Sequence, residues 1–190
     1  MAKFMKKKNN NLVTILESNT QQHKSWFLNE NQEYVLLDKN FSKYYNFNEV
    51  AILDIHDLHA LVEKYSWKRN CCFIRGKITE NAYDIKIKGY KIRRIVNEKV
   101  EEGITYKPTI IDYPKNWIML DIDNFKTPYG YNLQIKSHRE LAVENFINTL
   151  HESFHNASYV CQFSNGMFLN SNKIKAHIWF MLSEAYDGQT

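Results

Sequence analysis

The cleanest pattern in the chain lies near its end. Over residues 173–182 apolar and polar positions alternate. Ile174, Ala176, Ile178, Phe180 and Leu182 share one side, and Lys173, Lys175, His177, Trp179 and Met181 the other. A period of two is that of a strand with one face on a core. Residues 117–123 also read as a strand, with apolar residues on both faces: Trp117 and Met119 on one, Ile118, Leu120 and Ile122 on the other. That pattern predicts a central strand covered on both sides. Tyr159 to Ser164 reads as a further strand, followed by the hairpin-turn pair Asn165-Gly166.

Upstream, Trp26-Phe27-Leu28 and Tyr34-Val35-Leu36-Leu37 predict a hairpin turning at Asn29-Glu30-Asn31. Val50, Leu53, Leu58, Leu61 and Val62 have helical spacing, giving one or two helices over residues 48–65. Residues 71–76 form a strand, residues 85–96 a basic stretch and residues 97–108 a loop. Ser137-His138-Arg139-Glu140 has the form of a capping box. It opens a helix whose apolar face carries Val143, Phe146, Ile147, Leu150 and Phe154. Residues 1–24 read as a basic polar arm, interrupted only by Leu12-Val13-Thr14-Ile15-Leu16, and residues 25–190 as one domain. Only three prolines occur, and no Gly- or Pro-rich linker marks a boundary.

Composition narrows the function classes. No apolar run approaches the roughly 18 residues of a membrane span, and the charged N-terminus lacks an apolar signal segment. The three cysteines, two of them adjacent, supply no disulfide framework, which points to a reducing cytoplasm. The net charge is +4, with basic clusters at Lys3, Lys6, Lys7 and Lys8 and at Lys86, Lys88, Lys91, Arg93 and Arg94. Clusters of this kind suit polyanions, although basic runs are also common on solvated surfaces.

Two motifs compete for the chemistry. Asp121 and Asp123, two apart on a strand, project from the same face with Cβ atoms roughly 6–7 Å apart. Such a pair can hold one divalent cation or two; equally, acidic residues are common where a strand ends in a turn. Lys175 and His177 share the open face of the last strand, where an ammonium and an imidazole donor suit a phosphate. The competitor is His151-Glu152-Ser153-Phe154-His155, an H-E-x-x-H pattern on the helix. It sets two His one turn apart for zinc with Glu to activate water. A zinc metalloprotease would need a third ligand, for which His177 and Glu184 are the nearest candidates.

Phe73-Ile74-Arg75-Gly76, Trp117-Ile118-Met119-Leu120-Asp121-Ile122-Asp123 and Lys175-Ala176-His177-Ile178-Trp179-Phe180 together, in that order, resemble the archaeo-eukaryotic primase superfamily. The likeness is closest to the primase-polymerase domains of phages, plasmids and mobile elements, and it spans residues 70–182. It implies an α+β fold: a mainly antiparallel sheet with flanking helices, an RRM-like catalytic core. It implies that Asp121 and Asp123 hold Mg²⁺ or Mn²⁺ and that His177 contacts a nucleoside triphosphate. Lys175 stands where many members have Ser; Ser164 and Arg75 are assigned near the nucleotide. Lys86, Lys88, Lys91, Arg93 and Arg94 would grip a single-stranded DNA template.

The implied activity is nucleotidyl transfer, making or extending primers for mobile-element replication, with a helicase or other replication protein as partner. The family's third motif, an apolar residue followed by Asp, has Asp187 as its only downstream candidate. The chain is therefore expected to be the N-terminal part of a longer replication protein, or a catalytically incomplete nucleic-acid-binding module of the same fold.

Overall fold

The computed structural model of the chain describes residues 11–127, 130–164, 167 and 173–187. The elements run β1 (Leu12–Glu17), β2 (His23–Leu28), β3 (Tyr34–Asn40), β4 (Tyr44–Ala51), α1 (Ile55–Ser66), β5 (Cys71–Ile74) and β6 (Lys77–Ile78). There follow α2 (Glu80–Ile87), β7 (Ile92–Arg93), β8 (Lys99–Glu101), β9 (Ile104–Tyr106) and β10 (Ile110–Ile111). The last are β11 (Lys115–Lys126), α3 (Lys136–Ile147), β12 (Tyr159–Phe163) and β13 (Lys173–Tyr186). The fold is α+β, with antiparallel pairing in every strand pair whose register is described. No described helix is long and apolar enough to cross a membrane.

The chain divides into two units. The first comprises the described residues up to Leu53, Lys64–Asn116 and the end of the chain from Leu182; the second comprises Asp54–Glu63 and Trp117–Met181. This division is not signalled by any linker composition, because both units are assembled from separated segments.

The first unit is built around β1. Val13, Thr14, Ile15 and Leu16 are all buried, so both faces of the strand are covered. β1 pairs antiparallel with β4 on one side and β5 on the other, in a sheet of order β5-β1-β4-β7. The arm expected over residues 1–24 is corrected here: residues 12–17 are a central strand, and residues 1–10 lie outside the described residues. Five apolar-rich positions in polar surroundings were too short a run to reveal this. The buried Thr14 hydroxyl is satisfied by the Gly76 carbonyl at 2.9 Å, as a polar group in a core must be.

β2 and β3 form the expected hairpin. Its apolar side chains remain exposed, Leu37 by 68%. The helix expected over residues 48–65 is shorter: Val50 belongs to β4, and Asp54 starts α1 by accepting from the amides of His56 and Asp57 at 2.8 and 2.9 Å. The expected loop over residues 97–108 is instead the hairpin β8–β9. Glu102 and Gly103, at φ of +52° and +77°, supply the left-handed pair that a tight turn requires.

In the second unit, β11, β13 and β12 form a three-stranded sheet in that order. Among the described residues β11 is therefore an edge strand, which corrects the expected central one. Its mixed apolar pattern has another cause: Trp117 is buried beside Trp179, their ring centroids 5.5 Å apart, while Ile122 enters the core on the opposite face. That core joins Ile122, Ile174, Ala176, Ile178 and Phe180 to Ala142, Val143 and Ile147 of α3. Burial of about 2 kcal/mol per large aliphatic side chain makes this the face that fixes the sheet's register.

Candidate functional site

The register that buries Ile174, Ala176 and Ile178 against α3 sends Lys175 and His177 to the other face of β13. On β11, Asp121 and Asp123 alternate with the buried Ile122 and so face the same way. The structure brings these four side chains together in two rungs. His177 Nε2 lies 3.4 Å from Asp121 Oδ1, and Lys175 Nζ lies 3.5 Å from Asp123 Oδ1. The residue numbers rise on one strand as they fall on the other, the pattern of an antiparallel pair. Both carboxylates are mostly exposed, with 66% of the Asp121 side chain and 71% of the Asp123 side chain open to solvent. One end of the same face is closed by Trp117 and Trp179, both buried. The face thus changes from apolar to charged within a few residues.

Gln162 is a member of this face that the sequence reading missed. It sits opposite His177 in the β12–β13 register, with Oε1 3.5 Å from His177 Nδ1. The signal was available: Gln162 is two residues before Ser164, hence on the same face of a strand. With Asp121 at one ring nitrogen and Gln162 at the other, both nitrogens of His177 face acceptor oxygens. Ser164 lies beside Lys175, its amide donating to the Lys175 carbonyl at 2.9 Å. Asn165 and Gly166, expected to turn the chain between these strands, lie outside the described residues.

Arg75 belongs to the first unit. It pairs with Asp112 at 3.5 Å and donates to the Tyr186 carbonyl. Asp187, the candidate third acid, is also in that unit, directly after the end of β13.

The five basic residues at 86–94 do not form one uniform row. Lys86 lies over the Phe47 ring at 4.4 Å and donates to the Phe47 carbonyl at 3.0 Å. Arg93 is ion-paired with Glu101 at 2.7 Å and stacks on Tyr106 at 4.4 Å. Lys88 and Arg94 are exposed and Lys91 is half-buried. Bonds from Arg93 and Lys99 hold the Glu101 carboxyl down at about 2.

The H-E-x-x-H segment is not α-helical. α3 ends at Ile147, capped by Asn148, and the Thr149 hydroxyl donates to the Phe146 carbonyl at 2.7 Å. A single 3₁₀ turn, Glu152–Phe154, follows, and Phe154 packs edge-on against Phe180 at 4.8 Å. The two imidazoles are used locally. His151 Nδ1 accepts from the Ser153 amide at 3.3 Å, and His155 Nε2 donates to the Leu150 carbonyl at 3.0 Å. The geometry that gives this motif its zinc chemistry, two His on successive turns of one helix, is missing. Among the described residues no group of three His, Cys, Asp or Glu is placed to hold a metal. The expected capping box is corrected too: α3 begins at Lys136, so Ser137 is already inside the helix. Ile135 is the N-cap and makes no side-chain cap bond.

The chain matches no protein-family model, no curated protein and no solved structure.

Proposed function

We propose that the chain carries out metal-dependent nucleotidyl transfer of the primase-polymerase kind, on a single-stranded DNA template during mobile-element replication. The observation that carries this reading is the pairing of Asp121 and Asp123 with His177 and Lys175 on one open sheet face. Two exposed carboxylates are a sparse oxygen donor set, and with the phosphates of a nucleotide they suit Mg²⁺ or Mn²⁺. A bound ion would neutralise charge on the reacting phosphoryl oxygens. Asp121 and Asp123 would hold it. Lys175 and His177 would then turn from the carboxylates to the triphosphate, an ammonium and an imidazole N–H donating to its oxygens. Gln162 would keep the His177 ring oriented for this.

A second reading rests on a specific feature: no third acid joins the pair within the described residues. A module of this kind would bind nucleotide or nucleic acid without joining nucleotides.

Calorimetric titration of a nucleoside triphosphate with Mn²⁺ tests the proposal, comparing wild type with Asp121→Asn/Asp123→Asn. Metal-dependent binding lost in the double variant supports it. Absence of such binding in wild type overturns it. Primer synthesis or extension on a single-stranded template then separates transfer from binding alone.

A further inference from the structure

Four cationic side chains converge on one cavity of about 200 Å³ in the first unit: Lys43, Arg93, Arg94 and Lys99, with Ser42 and Tyr45 also lining it. The cavity forms where β4 meets β7, Tyr44 standing opposite Arg93 in the register, and where the β8–β9 hairpin brings in Lys99. Among the described residues, the Glu101 carboxylate answers part of this charge. Glu101 binds both Arg93 and Lys99. The bonds from Arg93 and Lys99 hold its carboxyl down at about 2, so it offsets one charge of the four.

The hydroxyls among the lining residues are already engaged by backbone carbonyls. The Tyr45 hydroxyl donates to the Ser42 carbonyl at 2.6 Å, and the Ser42 hydroxyl donates to the Tyr44 carbonyl at 2.9 Å. What remains for a ligand is ammonium and guanidinium. Arg93 is already oriented, only 16% of its side chain exposed, with Tyr106 against its plane and Glu101 at one nitrogen. A guanidinium held in this way loses little freedom when it binds an anion, and its fork matches phosphate oxygens. Like charges crowded into one concavity repel, and an anion relieves that repulsion. The volume lies below the roughly 300–1,000 Å³ of pockets that enclose a whole drug-sized ligand. It suits a phosphoryl or pyrophosphoryl group whose remaining parts stay outside.

We infer that this cavity is a phosphoryl-binding site, reading charge and phosphate geometry rather than base identity. It includes Arg93 and Arg94 of the basic stretch but no residue of the acidic strand, so it stands or falls apart from the metal-dependent site. The group it holds belongs either to a small phosphoester or to a nucleic-acid backbone.

The test is calorimetric titration of pyrophosphate at low salt with EDTA present, so that metal-dependent binding at Asp121 and Asp123 does not contribute. Wild type should bind. Lys43→Glu/Arg94→Glu should weaken binding at least about tenfold, the effect of losing charged contacts to an anion. Displacement of pyrophosphate by oligothymidylate would assign a nucleic-acid backbone; binding without such displacement would assign a small phosphoester. Failure of wild type to bind, or unchanged affinity in a folded Lys43→Glu/Arg94→Glu protein, overturns the inference. Should the double charge reversal unfold the protein, Arg94→Gln alone decides, with unchanged affinity counting against the site.

Discussion

His177 Nε2 lies 3.4 Å from Asp121 Oδ1 across neighbouring strands, and one rung along the same face Lys175 Nζ lies 3.5 Å from Asp123 Oδ1. The acids are largely exposed, and exposed ion pairs contribute about 0–1 kcal/mol to folding. The four side chains in this arrangement do little for stability. Their worth lies in what they present to solvent.

Replacing His177 or Lys175 with Ala should therefore separate binding from folding. Each variant is expected to weaken triphosphate affinity in the presence of Mn²⁺ by about tenfold, a loss of roughly 1.5 kcal/mol for one charge-assisted contact. Unfolding midpoints should stay within about 0.5 kcal/mol of wild type. Triphosphate binding that both variants retain in full would remove these side chains from the nucleotide site.

A buried position on β13 and an exposed one on β3 should respond differently to substitution. Ile178→Ala, fully buried against the α3 core, is expected to cost about 2–5 kcal/mol. Leu37→Ser on the exposed hairpin should stay within about 0.5 kcal/mol, because the leucine is already in water. Chemical denaturation measures both. A large loss at Leu37 would mean that the hairpin is covered in solution.

Gly76 is required by a close approach. A Cβ there would meet the Ile110 methyl and lie 2.9 Å from the Ile111 carbonyl oxygen, where β10 pairs with β6. Gly76→Ala should lower stability by about 1–3 kcal/mol through overpacking. Denaturant titration at neutral pH would show it, and wild-type stability in the variant would mean that β10 moves freely aside.

Lys115 gives the fold a pH dependence of defined sign. It is buried, with its ammonium donating to the Leu12 carbonyl at 2.8 Å, and burial pulls it from 10.5 to about 8. Between about pH 8 and 10.5 the unfolded chain holds a proton that the folded chain has released, so this group raises stability as pH rises. Below pH 8 both states are protonated and the buried charge weighs on the fold. Lys115→Met should lack that rise. Unfolding midpoints of both proteins from about pH 7 to 10 measure the difference, and a constant difference would place the Lys115 ammonium in contact with water.

Legibility followed range. The alternation over residues 173–182 and the shared face of Asp121 and Asp123 were readable because side-chain direction on a strand is set by the next residue along. The β2–β3 hairpin was readable from its local turn. The H-E-x-x-H helix failed because a spacing of four means one face only if the helix continues. Here Asn148 and Thr149 end α3 while Phe154 turns in to meet Phe180. β1 failed because its burial comes from β4 and β5, distant in sequence.

The sequence by itself determined which residues alternate, and so which side chains each strand presents to each face. Only the tertiary structure decided that Asp121 stands opposite His177, that Gln162 backs the imidazole, and that Lys43 meets Arg93, Arg94 and Lys99 around one cavity. Strand order and register are fixed by the burial of Ile122, Ile178 and their neighbours across long stretches of chain, and no local pattern encodes which partner a strand will find.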